Sequence, residues 1–204
     1  MTDEKVLIRQ VLAGDQEAFA QLVTAYETQV YNLCLRMSGN PEDARDLAQE
    51  AFLKAWRGLQ FYKFESSFST WLYRLTSNVC IDFLRRQKRR PAVSLTVVED
   101  EEPVELEVED KSPLPEELLL QKEHRQAIAE AMERLEEEFR LVLTLRVVEE
   151  LPYEQIAQIL DLKVGTVKSR LARARCKLKN LLEAGNKMEA DSSKSTEGGM
   201  RHDM

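Results

Sequence analysis

Residues 151–182 read LPYEQIAQILDLKVGTVKSRLARARCKLKNLL. Ile156, Ala157 and Leu160 recur at helical spacing, a short turn follows, and Val167, Leu171, Ala174 and Leu178 recur at helical spacing again. Two short amphipathic helices joined by so few residues have the helix-turn-helix form. Pro152 and Glu154 suit the first turn of the leading helix, and the small Ala157 allows the close approach that a steep crossing needs. On the second helix the apolar stripe faces inward, while Lys168, Arg170, Arg173, Arg175, Lys177 and Lys179 cover the remaining surface, with Thr166 and Ser169 near its start. From Lys163 to Lys179 there are seven basic residues and no acidic one. A solvated face is the bland reading of any charge run. Like charges at i,i+4 repel, however, so a helix serving stability alone would intersperse acids. A one-signed run on the second member of a helix-turn-helix fits a DNA-recognition helix, whose first residues approach base edges while later cations meet phosphates.

Outward from this stretch, helical patterns cover roughly 116–135, 137–148, 152–160 and 166–182, which define a second domain at 116–182. Before it, residues 91–115 hold dense acids, scattered prolines and little sustained period, the composition of a flexible acidic linker. After it, residues 183–204 lack a periodic apolar face and read as a disordered tail. The first ninety residues form another domain. A short helix from about Asp3 ends at Gly14, and Asp15 can cap the next, whose apolar side runs from Phe19 through Leu33 and Met37 to a stop at Gly39. Asn40-Pro41-Glu42-Asp43 then starts a third helix with a cap, a first-turn proline and two acids at its positive end. A fourth begins around Ser67 to Thr70 and runs to Pro91. The expected fold is all-α: two small helical domains, the C-terminal one a helix-turn-helix of winged-helix-like or related type.

Charge distribution decides what the net −7 means. Residues 1–90 are net +2, 91–122 net −8, 123–184 neutral and 185–204 net −1, so the acidity belongs mainly to the middle segment. Five of the six residues from Arg85 to Arg90 are basic, giving two positive patches on either side of an acidic tether. Two histidines, no phosphate-binding glycine loop and no nucleophile–base set leave an enzyme little material. Cys34, Cys80 and Cys176 do not have zinc spacing and read as reduced side chains in or near helix packing. No metal or cofactor is expected. There is no apolar run long enough to cross a bilayer and no basic-then-apolar leader, so a cytoplasmic protein without membrane insertion is expected.

Residues 59–90 read LQFYKFESSFSTWLYRLTSNVCIDFLRRQKRR. Six aromatics lie between Phe61 and Tyr73, partly in a loop, and the segment ends in the first basic patch. Taken singly, Phe68, Trp71 and Tyr73 favour core positions. Together with the cations they suggest a surface for unstacked or flipped bases, since aromatic faces accept such bases whatever their identity. A conventional helix-turn-helix regulator would need only the C-terminal domain and a dimerisation element, and none is evident after residue 182. A helical protein-interaction module with basic solubility surfaces is the other competing reading.

Three stretches, DARDLAQEAFLKAW (43–56), FSTWLYRLTSNVCIDFLRRQKRR (68–90) and residues 151–182, in this order and spacing resemble the extracytoplasmic-function, or group IV, RNA polymerase sigma factors. The resemblance covers most of 5–90 and 116–182. It implies a protein that binds core polymerase and directs promoter-specific initiation without catalysis of its own. Asp43, Asp46, Gln49 and Glu50, supported by Phe52 and Trp56, would engage the clamp helices of the largest polymerase subunit, and the β flap would be a further contact. Phe64, Ser66, Ser67, Trp71 and Asn78 would recognise the −10 element with one base flipped out, while Arg85, Arg86, Lys88, Arg89 and Arg90 hold nearby backbone. Lys168, Ser169 and Arg173 would read the −35 element, with Thr166, Arg170 and Arg175 orienting phosphates or the helix. The linker would lie near the RNA exit channel. An anti-sigma factor, often membrane-bound in this family, would mask these surfaces. This chain departs from the pattern at Ala172, where relatives often carry a larger side chain, and in FESSF, which lacks the glycine frequent in the −10 loop.

Overall fold

A computed structural model describes residues 4–89 and 115–197, with side chains from 4–89 and 124–185. All regular elements among the described residues are helical. The first domain comprises α1 (Glu4–Leu12), α2 (Gln16–Ser38), α3 (Pro41–Gly58), a 3₁₀ turn (Leu59–Phe61) and α4 (Phe68–Arg89). The second comprises α5 (Pro115–Glu133), α6 (Glu137–Leu143), a π turn (Thr144–Val148), α7 (Tyr153–Leu160) and α8 (Val164–Glu197). Of the two helix-turn-helix types expected, the described residues carry no strand that could serve as a wing. The linker expected at 91–115 lies outside the described residues except for Pro115, which opens α5.

The boundaries follow local chemistry. Asp15 accepts the backbone N–H groups of Glu17 and Ala18, at 2.9 and 3.2 Å, and Asn40 accepts those of Glu42 and Asp43, at 2.8 and 3.1 Å. Each cap satisfies donors that the first helical turn leaves without partners. Gly39 closes α2 at φ 75°, and its N–H donates to Leu35 O at 2.9 Å, so the chain reverses within two residues into the Asn40 cap. Asp161 ends α7 in the same left-handed region, at φ 54°. A short polar side chain tolerates that conformation better than a branched one.

At the C-terminus α8 runs past residue 182 to Glu197. No proline interrupts residues 183–197, and Gly185 is not in the left-handed conformation that ends a helix. Residues 198–204 of the expected tail lie outside the description.

The two domains pack on each other through a shared apolar core. Leu22, Leu33, Met37, Leu47, Phe68, Leu72 and Val79 of the first join Leu141, Leu145, Ile156, Val167 and Leu171 of the second. Arg140, 5% exposed, crosses the junction: Nη1 donates to Met37 O at the end of α2 at 2.6 Å, and Nη2 donates to Glu133 O at the end of α5. Tyr73 donates to Glu149, Gln155 Nε2 donates to Thr70 Oγ1 at 3.2 Å, and Arg74–Asp161 (3.3 Å) and Lys88–Glu137 (3.0 Å) form ion pairs. Cys34 and Cys80 are buried within the first domain with sulfurs 3.8 Å apart, and Cys176 is exposed; all three are free thiols. The hydrogen bond between the buried pair, together with burial, pushes the Cys80 thiol up.

Candidate nucleic-acid interface

The loop between α3 and α4 is built on Tyr62. Its hydroxyl donates to Ser66 O at 2.6 Å, and its ring lies 5.3 Å from Trp71, 6.1 Å from Phe68 and 4.8 Å from Phe64. Phe68 is buried and anchors the start of α4, while Trp71 is half-buried and Phe64 is exposed. Ser67 Oγ accepts the Thr70 N–H at 3.2 Å, capping α4. Asn78 is exposed two turns beyond Trp71, so the two share a face of α4 with the loop at its head. Phe64, Ser66, Ser67, Trp71 and Asn78 are thereby gathered on the loop and first turns of one helix. Phe61 joins them at the loop's start, a strongly exposed aromatic that sequence reasoning did not single out.

Arg85, Arg86, Lys88 and Arg89 occupy the last turns of α4, all exposed, where the helix dipole favours cations. Arg90 lies outside the described residues. Two of these cations have acidic neighbours: Lys88 pairs with Glu137, and Arg86 Nη2 lies 3.9 Å from Glu50. Glu50 also pairs with Lys54 at 2.9 Å. It therefore sits beside the basic end of α4, on the face of α3 that also carries Asp43 and Asp46.

Gln49 and Phe52 do share a surface. With Leu53 and Trp56 of α3 and Gln16, Phe19, Ala20, Val23 and Thr24 of α2, they line an open groove of about 640 Å³. Leu53 and Trp56 are both exposed, and Trp56 meets Phe19 edge-to-face at 4.8 Å. Asp43 and Asp46 stand near the start of α3. Burial holds the Asp43 carboxyl above the usual range, with the charges of Asp46 and Glu42 adding to it. Leu53 was missed in the sequence, although its signal is there: a leucine four residues after Gln49 and three before Trp56 extends an outward face with apolar surface.

In the second domain Val167, Leu171 and Ala174 are buried, which turns Thr166, Lys168, Ser169, Arg173 and Arg175 outward. Thr166, Ser169 and Arg173 form one row along α8, and Ser169 Oγ donates to Thr166 O at 3.0 Å. Ion pairs divide the cations by role. Arg170 is half-buried and pairs with Glu138 at 2.9 Å, while Lys177 pairs with Glu136 and lies 4.6 Å from the Phe139 ring centre. Both tie α8 to α6. Lys168 rests 5.5 Å from the Tyr153 ring centre. The hydrogen bond from Lys177 is the main cause holding the Glu136 carboxyl below its usual range.

Comparison with known proteins places these surfaces in a family. The Sigma-70 region 2 model matches residues 22–90, and the Sigma-70 region 4 model matches 125–178. The chain is 36% identical over 179 residues to the ECF RNA polymerase sigma factor SigW of Bacillus subtilis, covering 87% of this chain and 96% of that protein. It is 40% identical over 189 residues to the ECF RNA polymerase sigma-E factor of Escherichia coli K12, covering 90% and 95%. Among solved structures it is similar to CnrH in complex with the cytosolic domain of CnrY (TM-score 0.63, 24% identity, 89% of this chain and 97% of that one), a likeness of fold. It is also similar to the sigma factor RpoE of Bartonella quintana in complex with the anti-sigma factor NepR (TM-score 0.58, 25% identity, 81% and 96%). With both sigma regions matched and close to nine-tenths of the chain aligned, the protein belongs to the extracytoplasmic-function RNA polymerase sigma factors, which recognise promoters for transcription initiation.

Proposed function

We propose that this sigma factor divides promoter recognition among three surfaces and contributes no bond-making chemistry, which stays with the polymerase. The groove between α2 and α3, with Gln49, Phe52, Leu53 and Trp56 on its floor and rim, takes the clamp helices of the largest subunit. Asp43 and Asp46 add charge to that contact, and the β flap is a further site on the second domain. The loop carrying Phe64, Ser66 and Ser67, with Trp71 and Asn78, captures the melted −10 strand. Arg85, Arg86, Lys88, Arg89 and Arg90 hold backbone beside it.

The exposed row on α8 carries the −35 reading. Lys168, Ser169 and Arg173 reach base edges, Thr166 and Arg175 meet phosphates, and Arg170, committed to Glu138, orients the helix. Binding of the open strand supplies the free energy for melting, so no nucleotide hydrolysis is needed. The protein works in the cytoplasm, where polymerase and chromosome meet; no described helix is long and apolar enough to cross a membrane. The similar sigma factor RpoE, solved in complex with the anti-sigma factor NepR, supports a partner of that kind here.

The observation that carries this reading is the division of α8, with Arg173 on the outward row and in no ion pair among the described residues, while Arg170 and Lys177 are held by α6. Its test is transcription by core polymerase plus this protein on fragmented genomic DNA. Arg173→Ala is expected to lower starts at the cognate promoters by roughly tenfold, equivalent to one base contact, without weakening binding to unrelated DNA in proportion. Equal loss on all DNA would contradict base reading at this residue.

A further inference from the structure

Two aromatics in the loop ahead of α4 are spent on solvent. Phe61 is 74% exposed, the highest value among the large apolar side chains described, and Phe64 is 41% exposed. Phe64 is also held at φ 60°, a left-handed conformation that is unfavourable for a bulky side chain and natural for glycine. Loop closure alone would be served better by glycine. What phenylalanine adds is a ring 4.8 Å from Tyr62, which in turn lies 5.3 Å from Trp71. Phe64 is thus the outermost member of a three-ring series that begins at the half-buried Trp71.

We propose that Phe64 is a stacking platform for a second unpaired base of the melted non-template strand, next to the base captured beside Trp71 and Asn78, with Phe61 extending the apolar surface. This rests on the −10 reading above and adds a contact within it. Single-stranded DNA is the occupant because the platform is continuous with that surface, and the residues that flank Phe64 in the chain are Lys63 and Glu65, followed by Ser66 and Ser67. Lys63 and Glu65 cancel in charge. Attraction to phosphate is therefore weak here, and the ring face supplies the contact.

The test uses holoenzyme at a promoter mapped as above, comparing Phe64→Gly and Phe64→Trp with the parent, each with single abasic substitutions along the non-template −10 strand. Phe64→Gly is expected to shorten open-complex lifetime about tenfold, the scale of one lost base–aromatic stack, with unchanged salt dependence. Phe64→Trp is expected to restore it. At one position, removing the base should abolish the difference between parent and Phe64→Gly. A Phe64→Gly holoenzyme with the parent's lifetime would overturn the inference while leaving the sigma assignment intact. So would a loss of equal size at every abasic position, which would mark a structural role. No discrete starts from the parent holoenzyme would overturn both.

Discussion

Replacing Arg140 with methionine should uncouple the two domains. The guanidinium lies at their junction, 5% exposed, and donates to carbonyls that end two helices, Met37 O of α2 and Glu133 O of α5. Hydrogen bonds from a charged donor contribute about 1.5–3 kcal/mol each. Against them stands the cost of burying the cation, visible as a lowered pKa caused first by desolvation, and a buried Nε without a partner among the described residues. Methionine removes that cost but leaves both carbonyls without their donor, so we expect a net loss of about 3 kcal/mol. For a chain of this size the melting temperature should fall by about 6–12 °C. Circular dichroism at 222 nm measures the shift, with Arg134→Met, an exposed neighbour on the same segment, as control. A change below about 2 °C, or an equal one in the control, would refute the bridging role of Arg140.

Asn40→Ala removes the acceptor for two N–H groups at the start of α3 and should cost about 1 kcal/mol in chemical denaturation; an unchanged midpoint would show that the cap contributes nothing. Acid should weaken the protein through Glu136 and Glu137, both held below the usual glutamate pKa. The hydrogen bond from Lys177 is the main cause at Glu136, while at Glu137 burial opposes the shift and is outweighed by a backbone hydrogen bond and Lys88. The unfolded state binds these protons more readily, so the stability they contribute is present above the ordinary glutamate pKa and lost as pH falls through the lower folded values. Lys88→Ala should flatten that acid limb in a stability–pH profile, and an unaltered profile would rule out the Lys88–Glu137 pair as a contributor.

Much of the architecture was legible because it is written in short-range chemistry. Asp15, Gly39 and Asn40 mark helix ends within four residues of the groups they satisfy, and the inward stripe of α8 follows from a period of 3.6. The grouping of Phe64, Ser66, Ser67, Trp71 and Asn78 was expected only through resemblance, since aromatics alone do not distinguish core from surface: Phe68 is buried and Phe64 is exposed. What the sequence did not show depends on distant partners. Glu138 holds Arg170 from 32 positions away, Tyr73 meets Glu149 across 76, and Arg140 reaches Met37 across 103. None of these pairs leaves a periodic trace. The division of the α8 cations into helix-orienting and outward groups, and the docking of one domain on the other, therefore required the fold. Glu50 shows the same limit: its approach to Arg86 leaves no trace in the sequence, while its neighbour Gln49 lines the Trp56 groove.

Selection of transcription start sites by this protein is read out by mapping RNA 5′ ends made on fragmented genomic DNA by purified core polymerase, with and without the protein. We predict discrete new starts that share one sequence element near −10 and another near −35. A core preparation that is active with another sigma factor, yet gives no new starts with this one, would contradict the account.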